Sequence, residues 1–399
     1  MDRVQALQGN LTATKRNVFS HLELAPADPI LGTTIAFQND KDPNKVNLGV
    51  GAYRDNAGKP VVFTSVKKAE KLIFDNAAIN KEYLPIAGFA PFVETSQKLI
   101  LGENSQALKD KRVASLQTIS GTGALRVGFD FIRKFIPAPV YVSRPTWGNH
   151  NSIIAVAGLP CREYPYWDQK KRGIDFEAMT ACLETAPSGS VILLHSCAHN
   201  PTGCDPTEDQ WKKIAEICLR RNLVPFFDSA YQGFASGDFE KDAFSIRYFI
   251  SQGLNMIITQ SFAKNFGLYG ERVGAIHFVC DDAEQAKRVL SQVEIIVRTN
   301  YSNPPTHGAQ VVASVLTNPE LRKMWEDELA EMRDRIKAMR HRLVAGLEAA
   351  GITDMGFIAT QVGMFSYSGL TKDQMVALRE QHGVYGTDKG RICVAALND

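Results

Sequence analysis

Short apolar runs that each end on a polar or charged residue constrain this chain most. Val140 to Val142, Val191 to Leu194, Val224 to Phe227 and Met256 to Ile258 are too short for buried helices and read as buried strands. Helical spacing fills the intervals, as over Gln210 to Arg221. An earlier strand closes at Thr118 and Ile119, after which Leu125, Phe129, Ile132 and Phe135 recur at helical spacing; Val273 to Val279 reads as a further strand. Short strands alternating with helices imply an α/β fold whose large domain carries a mainly parallel, helix-covered sheet. Such sheets bind ligands beyond the carboxyl ends of their strands. Ser120, Trp147, Asn200, Asp228 and Lys264 all fall at or soon after such an end.

Lys264 is the most unusual of these residues. It lies between two predicted strands, where an ammonium ion is costly unless paired or chemically converted. Desolvation favours the neutral amine, a nucleophile toward aldehydes. Ser261 and Arg272 flank it with a hydroxyl and a guanidinium fork, both good phosphate ligands. The set suits a phosphorylated aldehyde, pyridoxal phosphate held as a Schiff base. Taken alone, the stretch fits a loop lysine reaching water equally well. Ser120 to Gly123 opens the helix after the first strand, where free N–H groups favour an anion, or serves only as its cap. No Gly-Lys-Ser/Thr follows, so it is not a Walker loop. Gly49 and Gly51 lack the third glycine of a dinucleotide fingerprint and read as backbone passing close to something.

At 399 residues and 44% hydrophobic, the chain has the length for one large and one smaller domain. The expected division is an arm at 1–27, a small domain of 28–60 with 321–399, and a large domain of 61–320. Within the arm, Met1 to Val18 combines Arg3, Lys15 and Arg16 with a single acid, Asp2, as a weak presequence or a plain flexible arm would. A long helix is expected from Pro319 to about Ala350, its stripe of Leu321, Trp325, Met332, Ile336, Met339, Leu343 and Leu347 serving packing, with Glu331 and Arg335 paired at i,i+4. The 45 basic and 43 acidic residues create no field for nucleic acid, and no apolar run reaches the ~20 residues of a membrane span. Seven scattered cysteines read as free thiols in a reducing compartment. His195, Cys197 and His199 would share one strand face, but with no fourth ligand nearby no metal site is expected.

The segments Val46–Arg54, Glu82–Ile86, Ser120–Arg126, Ala198–Gly203, Asp228–Phe234, Ser261–Asn265, Tyr301–Pro305 and Gly390-Arg391 together resemble the aspartate aminotransferases, fold-type I enzymes that use pyridoxal 5'-phosphate. The resemblance covers nearly the whole chain from Asp28. It implies that Lys264 is the Schiff-base lysine and proton carrier, that Asp228 holds the proton on the pyridine nitrogen, and that Tyr231 and Asn200 donate to the ring hydroxyl. It implies that Trp147 stacks on the ring and that Ser120, Gly121, Thr122, Ser261 and Arg272 hold the phosphate, joined by Tyr83 from the other subunit of a homodimer with shared sites. Arg391 matches the clamp on the substrate α-carboxylate, Arg298 the partner-subunit arginine for the distal carboxylate, and Gly51 the backbone close to substrate. The implied reaction moves an amino group from aspartate to 2-oxoglutarate in a ping-pong cycle. A broader aromatic and dicarboxylic specificity is the alternative, and a non-catalytic binding protein on the same fold is the rival from another class. The wording of Asp28–Gly32 and Gly267–Gly274 resembles the mitochondrial isoform more than the cytosolic one, so the mitochondrial matrix is the expected compartment and the cytoplasm the alternative. The resemblance also implies a final helix beyond Gly390-Arg391, where this sequence ends at Asp399.

Overall fold

The computed structural model describes residues 18–25 and 29–398. Of the arm expected at 1–27 only 18–25 is described, and it is exposed; the remainder, with Asp28, lies outside the described residues. A seven-stranded sheet forms the centre: β1 (Val113–Ile119), β2 (Val140–Arg144), β3 (Cys161–Pro165), β4 (Val191–His195), β5 (Val224–Ser229), β6 (Met256–Ser261) and β7 (Val273–Val279). The spatial order is β1-β7-β6-β5-β4-β2-β3. Only β7 runs antiparallel to its neighbours, and the other adjacent pairs are parallel. The α/β reading therefore holds, and the carboxyl ends of the parallel strands share one edge.

Two strands run further than their apolar cores suggest. β5 continues through Asp228 to Ser229, and β6 through Thr259 and Gln260 to Ser261, because ladder pairing persists where hydrophobicity stops. The register sets His195 opposite Asp228 and Asp228 opposite Thr259. Polar side chains from three strands thus meet at one edge.

The helices follow sequence logic where the signals are local. The helix α1 (Ser120–Phe135) begins directly after β1, with no connecting loop. In α2 (Glu208–Arg221) Thr207 and Gln210 form a capping box, acids occupy the first turn and arginines the last, and Asn222 at φ 52° ends it. The helix α3 (Ala283–Asn300) precedes α4 (His307–Thr317). Gly308, Ala309, Val311, Val312, Ala313, Val315 and Leu316 are all buried, and a narrow stripe of His307, Gln310, Ser314 and Thr317 stays partly exposed.

The long helix α5 (Pro319–Ala349) is capped by Asn318 and buries Leu321, Trp325, Leu329, Met332, Ile336 and Met339. Beyond them Val344 is buried where Leu343 and Leu347 were expected, and those two are only partly covered. Arg335, assigned by spacing to Glu331, turns its guanidinium to the carbonyls of Arg54 and Leu397 at 3.0 and 2.9 Å. Trp325 stacks on Phe266 with centroids 4.5 Å apart and donates its indole N–H to the Asn265 carbonyl at 2.6 Å. Truncating a tryptophan buried this fully costs about 3–5 kcal/mol, and here it would loosen the turn that carries Lys264.

Near the chain ends, Val46–Asn47 pairs with Val384–Tyr385, and Phe365–Tyr367 pairs with Arg391–Cys393. These short ladders bring Gly49 and Gly51 beside Arg391 and Phe365. No helix among the described residues is long and apolar enough to cross a membrane.

Candidate active site

At the carboxyl edge of the sheet, a cavity of about 240 Å³ is lined by Ser120, Gly121, Thr122, Trp147, Asn200, Asp228, Tyr231, Ser261, Lys264 and Arg272. All were read from sequence as ligand residues. Leu125, His195, Cys197 and Ala230 complete its wall and were not.

Lys264 sits in the turn after β6, where its carbonyl accepts the Gly267 amide at 3.0 Å. Its Nζ lies over the Tyr231 ring, 5.5 Å from the centroid. Burial pulls the ammonium below its ordinary range, and the charges of Arg272 and Arg391 act the same way against the opposing pull of Asp228. The amine is biased toward its neutral, nucleophilic form.

Asp228 shows the reverse balance. Burial by itself would raise its carboxyl, but the hydrogen bond from His150 holds it below the usual carboxylate range. Its Oδ2 meets His150 Nε2 at 3.1 Å, and its Oδ1 accepts the Thr259 hydroxyl at 3.2 Å. From there a chain of hydrogen bonds runs backwards. Thr146 Oγ1 lies 2.8 Å from His150 Nδ1 and 3.2 Å from His195 Nε2, while His195 Nδ1 accepts the Asn200 amide at 3.3 Å. One direction of donation satisfies every member: Asn200 N–H to His195, His195 to Thr146, Thr146 to His150, His150 to Asp228. Burial brings His195 down to about 3, so it stays neutral as this chain requires. No sequence signal beyond the placement of His150 and His195 near strand ends marks this relay.

The opposite end is an anion cradle. Gly121 and Thr122 lie in the first turn of α1, whose amides have no partner within the helix. Ser120, at φ 60°, donates its amide to the Arg272 carbonyl at 3.0 Å, and its hydroxyl lies 3.5 Å from that of Ser261. A Cβ at Gly121 would come within 3.0 Å of the Ser261 Cβ, so a side chain there would crowd the cradle. Arg272 adds a guanidinium whose Nη1 is fastened to the Tyr269 carbonyl at 3.0 Å.

Arg391 stands beside this pocket, buried, with Nη2 donating to the Gly49 carbonyl at 2.6 Å and its guanidinium 4.3 Å from the Phe365 ring centroid. Its Nε is buried without a partner, and no carboxylate pairs with it among the described residues. A desolvated cation so placed has donors to offer an anionic ligand. A Cβ on Gly51 would fall 2.5 Å from Phe365 Cζ, which explains the glycine.

Tyr83 and Arg298 are not brought into this cavity. They line a separate open groove of about 1000 Å³ with Asn303 and Pro305, where Tyr83 is 83% exposed and Arg298 bonds the Ser302 hydroxyl. The expectation that His195, Cys197 and His199 share a strand face is corrected. β4 ends at His195, and His199 lies beyond it, stacked on Tyr166 and bonded to Ser143 and Thr202, both at 2.8 Å.

A desolvated amine near a low-lying carboxylate, an aromatic wall and an anion cradle fit pyridoxal phosphate, and they define an enzyme of amino-group chemistry. The chain belongs to the class I and II aminotransferases, whose family model matches residues 43–399. It is 49% identical over 388 residues to the mitochondrial aspartate aminotransferase of Dictyostelium discoideum, covering 97% of this chain and 91% of that one. Among solved structures, it resembles the aromatic-amino-acid aminotransferase of Burkholderia pseudomallei, covalently bound to pyridoxal phosphate, with TM-score 0.93, 50% identity and 96% of each chain covered. It also resembles the cytoplasmic aspartate aminotransferase of Saccharomyces cerevisiae, with TM-score 0.93, 42% identity, and 96% of this chain and 95% of that one covered.

Proposed function

We propose that this enzyme transfers the amino group of L-aspartate to 2-oxoglutarate, giving oxaloacetate and L-glutamate. The observation that carries the reading is the placement of Lys264 and Asp228 in one pocket with the buried Arg391 guanidinium beside it. When bound, pyridoxal phosphate supplies an aldehyde that exchanges amino groups and a protonated ring that draws electrons from the substrate Cα.

The chain's own residues divide the remaining work. Lys264 Nζ, its ammonium pulled down by burial, would anchor the aldehyde and then take and return the proton at the substrate Cα. Asp228, its charge secured by His150, holds a proton on the ring nitrogen. Trp147, an aromatic wall of the cavity, would hold the ring. Ser120, Gly121, Thr122, Ser261 and Arg272 bind the phosphate. Tyr231, whose phenol burial pushes well up, remains a donor and joins Asn200 at the ring oxygen. Arg391 receives the α-carboxylate in a bidentate grip beside Gly51.

Tyr83 and Arg298, together on the open groove of one subunit, complete the pocket of its partner in a homodimer, Tyr83 at the phosphate and Arg298 at the distal carboxylate. Their exposure and their separation from the cavity of their own chain support this arrangement. We assign 28–60 with 321–399 to a small domain and 61–320 to the large one. The pairing of Val46–Asn47 with Val384–Tyr385 supports the division. The mitochondrial matrix remains the proposed compartment, although similar aspartate aminotransferases carry mitochondrial and cytoplasmic names alike. The 50% identity to an aromatic-amino-acid aminotransferase favours a second reading, a broader substrate range. The test is kcat/KM for aspartate and phenylalanine with 2-oxoglutarate as acceptor, beside a visible spectrum before and after adding aspartate. A preference for phenylalanine would select the second reading. A spectrum unchanged by either amino acid would remove both.

A further inference from the structure

Asp205 is absent from the pocket wall yet holds the backbone on which that wall depends. Its Oδ2 accepts the Ala198 amide at 2.6 Å and its Oδ1 the His199 amide at 2.9 Å. Ala198 is held at φ 48°, a left-handed conformation that a residue with a Cβ keeps only where its surroundings enforce it. The residue after this two-amide grip is Asn200. Other contacts hold the residues that follow: Ser143 and Thr202 bind the His199 ring, both at 2.8 Å, the Gly203 amide binds the His199 carbonyl at 2.7 Å, and the Asn200 amide binds His195 at 3.3 Å. On its outer side Asp205 edges a second cavity of about 510 Å³, and Cys197 is common to the walls of both cavities.

We propose that Asp205 is a positioning residue for the cofactor's ring oxygen. By gripping the Ala198 and His199 amides, it aims the Asn200 side chain at that oxygen and the Asn200 N–H at His195. The inference rests on the reading of Asn200 as a donor to the ring oxygen. Burial pushes the Asp205 carboxyl up to about 6 while the His199 and Ala198 amides pull it down and Asp242 adds to the rise. Tyr166, Cys197 and Cys204 face the same carboxyl, and burial raises all three. An amide in its place would set an NH₂ donor against an N–H donor and lose a charge-assisted bond.

The experiment compares wild type, D205N, N200A and the double variant as holoenzymes. The pH midpoint of the bound cofactor's visible absorption is measured, together with cofactor affinity by titration of the apoprotein. A donor on the ring oxygen favours the form in which that oxygen carries uncompensated negative charge, so losing the donor moves the midpoint to higher pH. D205N is expected to raise it by about 0.5–1 unit, a three- to tenfold change in proton affinity, and to weaken cofactor binding. N200A should raise it too, and the double variant should match N200A because Asp205 acts through Asn200. A midpoint unmoved in D205N but raised in N200A overturns the proposal alone, as do fully additive shifts. A midpoint unmoved in N200A overturns the Asn200 reading and the proposal with it. Should D205N not fold, D205E keeps the charge but displaces the grip, and an unmoved midpoint there overturns the proposal equally.

Discussion

Nε2 of His150 lies 3.1 Å from Oδ2 of Asp228, and the same imidazole binds Thr146 through its other nitrogen at 2.8 Å. The contact fixes which nitrogen carries the proton and keeps a buried carboxylate charged against its own desolvation.

Removing that donor exposes the balance. In His150→Phe the Asp228 carboxyl should rise, because burial then outweighs the remaining attractions. The acid limb of the pH–kcat profile should move to higher pH, and kcat at neutral pH should fall about tenfold, the worth of roughly 1.4 kcal/mol. Asp228→Ala should cost more, several kcal/mol, since it removes the charge altogether. Stopped-flow half-reactions over a range of pH check both. An acid limb unchanged in His150→Phe would show that the hydrogen bond does not tune the carboxylate.

Lys264→Ala should lower turnover by at least about 10³-fold, the loss of a general base together with the anchoring amine. Cofactor binding should persist, because the phosphate cradle and the ring contacts remain. Single-turnover rates and retained cofactor after gel filtration report the two effects separately. Near-native turnover would remove Lys264 from its role.

Arg298→Asp probes the groove that Tyr83 and Arg298 share. If the groove completes a partner's pocket, kcat/KM for aspartate and glutamate should fall by several orders of magnitude, since a like-charge contact there costs several kcal/mol. Phenylalanine should lose far less. Equal losses for dicarboxylic and aromatic substrates would make Arg298 structural.

Stability should decline on acidification below neutrality. Burial lowers His195 and His277 to about 3, and lowers His199 further in the same direction. Unfolded, each titrates near 6.5, so the unfolded chain binds protons the folded one refuses. Each histidine then removes up to about 1.4 kcal/mol per pH unit as pH falls through that window. Asp205, raised to about 6, acts oppositely: its contribution is present below the unfolded carboxylate value and is lost as pH rises through 6. Three histidines outweigh Asp205 and Asp242, whose carboxyl burial also raises, so Tm should fall from pH 6.5 to about 4.5. His277→Gln should flatten that slope, as thermal unfolding across pH would report. A parent-like slope in His277→Gln would show that His277 is not held neutral.

Much of this site is legible in the amino-acid sequence, for a physical reason. Period and run length are local properties, and a parallel sheet gathers the carboxyl ends of its strands at one edge. Ser120, Asn200, Asp228 and Lys264 can therefore be placed together from sequence. What escapes depends on register and through-space contact. His195 faces Asp228 only because β4 and β5 pair in one register. Thr146 and His150 join them through side-chain geometry that no spacing encodes. The helix α4 leaves only a narrow stripe of His307, Gln310, Ser314 and Thr317 partly exposed, too faint a periodic trace among so many small and apolar residues. No sequence signal marks Asp205, which the fold turns back onto the Ala198 and His199 amides. Sequence determined which residues stand at the strand ends, because strand propensity is written along the chain. Tertiary structure decided which protons and charges those residues keep, because desolvation and hydrogen-bond partners come from segments distant in sequence.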